Sequence, residues 1–447
     1  MKTSRRVFLK SGGLALVSVG LAPGWGPQFL RDAVFAAEPK KRRKTIICIF
    51  QRGAVDGLSM IVPHGDSWYY RHRNLNGIAL PRTGAGAVLD LDGTFGLHPA
   101  LAGLLPIWKA GHLAAIQACG SPSASRSHFD AQDYMECGSP DRVLPTGWLA
   151  RALENCPEDT ARREAENKVQ SAVFRGVALT NQTPLSLRGS GALAFSDLRS
   201  FAVGANSVGV GAKKKQTANA ANNGANDGGA AAGFEAMYEG AVGDVLHGTG
   251  EESFEAIRML KSLTAKTYVP AAGAKYPGGR FGLALQQIAQ LVKADVGVEV
   301  AFAESGGWDT HVGQGATQGR LARNLSEFGQ GLAALYADLG DRMDDVVILT
   351  MSEFGRTARQ NGTGGTDHGH ATCFFALGAS VNGGKVLGKW PGLAPEQLYE
   401  QRDLAVTTDF RDVFAEVAQK HLGVTDLEAV FPGFTAQAKN FRNVLRA

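Results

Sequence analysis

The chain has little cysteine, and none of it is spaced for metal or haem chemistry. Five cysteines occur, Cys48, Cys119, Cys137, Cys156 and Cys373, with no CxxC pair among them. That excludes a cysteine-rich zinc site, an iron–sulfur cluster and a covalently attached haem. Cys48, Cys119 and Cys373 fall in or beside apolar runs, where cysteine behaves as a small hydrophobe. Cys137 and Cys156 are the pair that could close one disulfide after export. No GxGxxG follows the first expected strand, so no dinucleotide fingerprint is present either. An oxidoreductase therefore ranks last among the function classes. Charge imbalance is also scarce: the net charge is +4. Much of it sits in Lys40-Lys41-Arg42-Arg43-Lys44 and Lys213-Lys214-Lys215, read as solvated runs. A basic face with interleaved aromatics is missing, which excludes nucleic acid as a partner. Beyond the N-terminus no apolar run reaches the ~18 residues of a membrane span, so no stable span is expected after leader removal.

What is there begins with Ser4-Arg5-Arg6-Val7-Phe8-Leu9-Lys10. Paired arginines run into a short apolar stretch, 12–21, and Val34-Phe35-Ala36 places small residues where a signal peptidase reads them. The reading is a twin-arginine signal over 1–36, cleaved after Ala36 and followed by a basic linker over 37–44. It implies the twin-arginine translocase as partner, export in the folded state, and a periplasmic or otherwise exported location.

Short apolar, β-rich runs predict buried strands at 45–50, 113–118, 173–179, 298–303, 346–350 and 374–377. Helical spacing appears at 283–294 and 318–339. In the second, Leu321, Leu325, Phe328, Leu332, Leu335 and Leu339 recur at three- and four-residue steps. Alternating strands and helices predict an α/β fold, with a largely parallel central sheet flanked by helices, as a single domain over 45–447. The Ala-, Asn-, Gly- and Lys-rich stretch 211–233 is expected to be a surface loop.

Sites in such sheets lie beyond the carboxyl ends of strands, and polar residues gather there. Arg52-Gly53-Ala54-Val55-Asp56-Gly57 follows the first strand; Arg126-Ser127-His128-Phe129 follows the second. Glu304-Ser305-Gly306-Gly307-Trp308-Asp309-Thr310-His311, Ser352-Glu353-Phe354-Gly355-Arg356-Thr357 and Thr366-Asp367-His368-Gly369-His370 come later. Carboxylates and imidazoles without thiolates suit zinc, manganese or a related divalent ion. Asp309 and His311, two apart on an extended segment, project to one face. Each residue also has a structural reading. Asp56 before Gly57 is a common turn pair. Ser127 is expected to cap a helix over 127–136. Glu353 and Arg356 would make a structural ion pair, and His98, before Pro99, is read as structural.

Together these segments, with Gly147-Trp148-Leu149-Ala150-Arg151, resemble a family of exported bacterial proteins called domain of unknown function 1501. More distantly, the order of motifs resembles the alkaline phosphatase and sulfatase superfamily. That resemblance implies an alkaline-phosphatase-like three-layer sandwich and a metal-dependent hydrolase of small anionic phosphate or sulfate esters. It makes Asp56, Glu304, Asp309, His311, Glu353, Asp367, His368, His370 and His128 candidate ligands for one or two ions. Ser127, or water activated at the ion, would be the nucleophile, with Arg126 or Arg52 holding the anion. Phe354 stands where the superfamily has a histidine. That departure motivates the rival reading, a non-catalytic binding or assembly module.

Overall fold

The computed structural model describes residues 42–156, 174–200, 259, 262–264 and 267–446. The expected signal 1–36, most of the linker 37–44 and the stretch 211–233 lie outside them. Strand β1, Thr45–Gln51, is buried at every position, and its side chains alternate between two cores as the pleat requires. Ile46, Cys48 and Phe50 share one core with Leu149, Phe410 and Phe414. Ile47 and Ile49 share the other with Leu285, Phe328 and Leu332. Apolar side chains on both faces of a strand need cover on both faces, and helices supply it.

The same sheet continues with β2 Leu113–Gly120, β3 Gly176–Ala178, β4 Leu193–Ala194, β5 Val300–Ser305, β6 Val346–Met351, β7 Thr372–Leu377, β8 Lys385–Leu387 and β9 Thr408–Asp409. The order is β8-β2-β7-β6-β1-β5-β3-β4, with β9 paired to the end of β2. All pairings are parallel except those of β7, which runs against β2 and β6. Each expected strand is present.

Six helices bear on the argument: α1 Gly57–Met60, α2 His128–Cys137, α3 Trp148–Glu154, α4 Gly279–Lys293, α5 Arg320–Leu339 and α6 Phe410–Leu422. Residues of α4 and α5 cover one face of the sheet, those of α3 and α6 the other. The two expected helices are α4 and α5. On α5 the whole leucine and phenylalanine stripe is buried. Each such side chain contributes about 1.5–3 kcal/mol, so tertiary packing fixes this helix. By contrast, α6 has no clean stripe because Asp412 and Glu416 are buried among its apolar residues. The disulfide that Cys137 and Cys156 could close is not formed: both are buried and no bond joins them, and Cys156 Sγ sits 3.0 Å from the Leu422 carbonyl oxygen. Arg43 is not solvated as expected, since it is largely covered and pairs with Glu299 at 2.8 Å, while Lys44 stays partly exposed and pairs with Asp345 at 3.0 Å.

This topology places the site. In register, Phe50 of β1 faces Glu304 of β5 and Met351 of β6, so their following loops leave from one edge. β7 is antiparallel and begins at that edge, Thr372 pairing with Cys119. The segment leading into β7 and the segment leaving β2 therefore meet the same loops.

Candidate metal centre

Three imidazoles converge beyond this edge: His128 from the first turn of α2, His311 from the loop after β5, and His368 from the segment before β7. His368 Nε2 lies 3.0 Å from His128 Nε2 and 2.9 Å from His311 Nε2. Asp309 closes the group. Its carboxylate oxygens stand 3.0 Å from His311 Nε2, 3.4 Å from His368 Nε2 and 3.6 Å from His128 Nε2. Tetrahedral ligands ~2.0–2.1 Å from a zinc ion are about 3.3 Å from one another, so these spacings fit a single ion. The donor atoms of His128, Asp309 and His368 all lie within 4.8 Å of one another.

The opposite ring nitrogens are each held. His128 Nδ1 is 2.8 Å from Glu353 Oε1, His311 Nδ1 is 3.0 Å from Asp367 Oδ1, and His368 Nδ1 is 2.9 Å from the Arg126 carbonyl oxygen. Phe354 packs beside two of the rings, 4.9 Å from His128 and 5.1 Å from His368 between centroids. Phe354 is thus a buried wall for two of the rings.

Close approach of the loops depends on glycine. Gly53 has φ +113°, and a Cβ there would lie 2.8 Å from the Asp309 amide nitrogen. A Cβ on Gly365 would lie 2.2 Å from the His311 carbonyl oxygen. Neither backbone contact tolerates a side chain.

Arg356 is a site residue that the sequence reading assigned elsewhere. It is buried and donates from Nη1 to Asp309 Oδ1 at 2.7 Å, while Nε and Nη2 reach the Thr366 hydroxyl and carbonyl. Its partner is thus Asp309, not the expected Glu353. Burial would raise the Asp309 carboxyl, but the Arg356 guanidinium holds it below the usual carboxylate range. Burial likewise opposes ionisation of Glu353, and hydrogen bonds from His128, Gln132 and the Gly53 amide reverse the shift. The hydrogen bond to Glu353 raises the His128 pKa; burial lowers that of His368.

Other candidates have different surroundings. Asp56 is buried and takes both terminal nitrogens of Arg73 at 2.7 and 2.9 Å, together with Ser59 and Gln314. Arg52 holds Glu304 at 2.7 Å and Glu136 at 2.9 Å, and its third nitrogen reaches Gln132. Arg126 holds Glu400 at 2.6 Å and Asp403 at 2.8 Å. Asp367 also accepts from Asn361 at 3.0 Å. His370 stacks on Tyr399 at 4.3 Å. Ser127 is the N-cap of α2, accepting from the Asp130 amide at 3.4 Å. His98 caps the 3₁₀ helix Pro99–Leu104.

The fold and site thus define a mixed α/β protein with a mostly parallel sheet, whose carboxyl-edge loops gather three histidines and an aspartate. Comparison with curated proteins finds no match. A family model described as "Protein of unknown function (DUF1501)" matches residues 43–431, and the chain belongs to that family.

Proposed function

We propose that the protein is an exported, metal-dependent hydrolase of phosphate or sulfate esters, holding one divalent ion, zinc or manganese, on His128, His311, His368 and Asp309. One observation carries the reading. The Nδ1 partners of the three imidazoles, two carboxylates and a carbonyl, accept hydrogen bonds. Each Nδ1 therefore bears the hydrogen and each Nε2 turns a lone pair inward. Three lone pairs and an ionised carboxylate aimed at one another repel unless positive charge lies between them. Nitrogen and oxygen donors of this kind suit zinc or manganese. The reaction class rests on the motif order, which resembles the alkaline phosphatase and sulfatase superfamily.

When bound, the ion would supply positive charge to the transferring group and lower the pKa of an adjacent hydroxyl or water. The chain's own groups would do the rest. Ser127 accepts a backbone N–H at its oxygen, which leaves its hydroxyl hydrogen for a base, and it sits where α2 directs N–H groups at an anion. Asp309 Oδ1, held by Arg356, faces His311 and His368, and its Oδ2 faces His128.

The test is metal content and zinc titration of the purified protein, followed by assays of aryl phosphate and aryl sulfate esters with and without chelator. Chelator-sensitive turnover is expected; a protein that takes up no divalent ion under any loading condition defeats the reading. A second reading, a non-catalytic exported binding module, draws on Arg52 and Arg126. Each already holds two carboxylates, so neither offers an anionic substrate an uncommitted charge. Ser127→Ala separates the two, since a binding module keeps its cellular role after that change. Export itself would rest on Arg5 and Arg6. Replacing both with Lys is expected to retain the protein in the cytoplasm, as read by cell fractionation.

A further inference from the structure

We infer that Glu353 is the residue that positions His128 and is not itself a ligand of the candidate centre. The inference rests on the metal reading above and concerns how the same site is built. Glu353 is fully buried at the end of β6. Its Oε1 accepts from the Gly53 amide at 2.8 Å, His128 Nδ1 at 2.8 Å and Gln132 Nε2 at 2.9 Å. Its Oε2 accepts from Ser352 Oγ at 3.2 Å. Three donors crowd Oε1, while the Ser352 hydroxyl makes its shorter bond to the Gln51 carbonyl oxygen at 2.8 Å, so Oε1 is the oxygen that is fully engaged. To bind an ion, Oε1 would have to release His128 or a buried amide donor, and a buried donor left unpaired is costly.

Asp309 differs in each respect. Its side chain is 41% exposed, and both oxygens approach imidazole Nε2 atoms. Among the three groups that hold Nδ1 atoms, Glu353 also differs from the rest. Asp367 is 56% exposed and shared with Asn361, and the Arg126 carbonyl carries no full charge. A buried carboxylate whose Oε1 takes three donors therefore fixes the His128 ring most firmly and makes its Nε2 a stronger donor to a cation. Phe354 packs against the same ring and removes the space for it to turn.

The experiment is zinc affinity by calorimetry, and the visible spectrum of the cobalt form, for wild type, Glu353→Gln, His128→Ala and the double variant. Glu353→Gln is expected to weaken zinc binding about 10–100-fold while keeping the wild-type cobalt band pattern. In the His128→Ala background the same change should alter affinity less than twofold, because the ring it positions is gone. Equal loss in both backgrounds, or a changed cobalt spectrum in Glu353→Gln alone, makes Glu353 a ligand and overturns the inference. Wild-type affinity in Glu353→Gln overturns it too, and leaves the metal reading standing. A wild type that binds neither zinc nor cobalt ends both. If Glu353→Gln does not fold, nitrogen-15 spectra of the zinc-loaded wild type decide. Hydrogen on His128 Nδ1 with the ion on Nε2 supports the inference, and coordination through Nδ1 refutes it.

Discussion

At the residue scale the centre depends on atoms that carry no chemistry. Gly53 combines a left-handed φ of +113° with backbone contact to Asp309, so Gly53→Ala is strained both in conformation and in space. A loss of more than ~1 kcal/mol of stability is expected, read as a lower denaturant midpoint. A weaker zinc affinity should accompany it, because the added methyl pushes Asp309 away. Equal zinc affinity in this variant would show that the Asp309 position is not needed. The glycines around Asp309, His311 and His368 made these residues readable as site candidates from sequence. The choice of partner was not readable. Arg356 lies three residues from Glu353 yet reaches Asp309, and Arg73 claims Asp56 from the end of a short helix. Such pairings follow from how loops cross in space, and no local pattern encodes them. Gln132 and Phe354 were missed as supports for the same reason.

At the element scale α2 presents His128, and its start was visible in sequence because Ser127 three residues before Asp130 is a capping pattern. The cap hydrogen bond is long, 3.4 Å, so Ser127→Ala should cost at most ~1 kcal/mol and Ser127→Gly a few tenths. Both variants should therefore remain folded by circular dichroism at 37 °C. Loss of ester hydrolysis in both would then belong to the hydroxyl and not to the helix. Retained hydrolysis in either removes Ser127 as nucleophile and leaves water in that role. The strands were equally readable, since β1, β2, β5, β6 and β7 are short apolar runs. Helix α6 was not, because its buried Asp412 and Glu416 break the 3.6-residue stripe that marks α5.

For the whole molecule, two buried histidines outside the centre and one buried carboxyl set opposing responses to acid. Burial pushes His98 and His421 down to about 4, so below their ordinary 6.5 the unfolded chain takes up protons that the folded one refuses. Stability from these groups is whole above pH 6.5 and is lost as pH falls toward 4. Asp412 acts in reverse. Burial, with Asp409 alongside, raises it to about 6, so the folded state binds the extra proton between pH 6 and 4 and gains stability there. Two histidines shifted by roughly 2.5 units outweigh one carboxyl shifted by roughly 2, at about 1.4 kcal/mol per unit. Together these three groups lose stability between pH 6.5 and 4. The charges facing His421 are Lys44 and Asp345, and Asp56 faces His98; none changes the sign. Denaturant midpoints measured with chelator present should fall across that window. Asp412→Asn should raise the midpoint at pH 7 and leave it unchanged at pH 3.5, where the native carboxyl is already neutral. A midpoint flat from pH 7 to 4.5 would mean that the His98 and His421 rings take up protons in place. Their bonds to the Ala316 and Thr45 carbonyls would then be strong enough to hold the charged form.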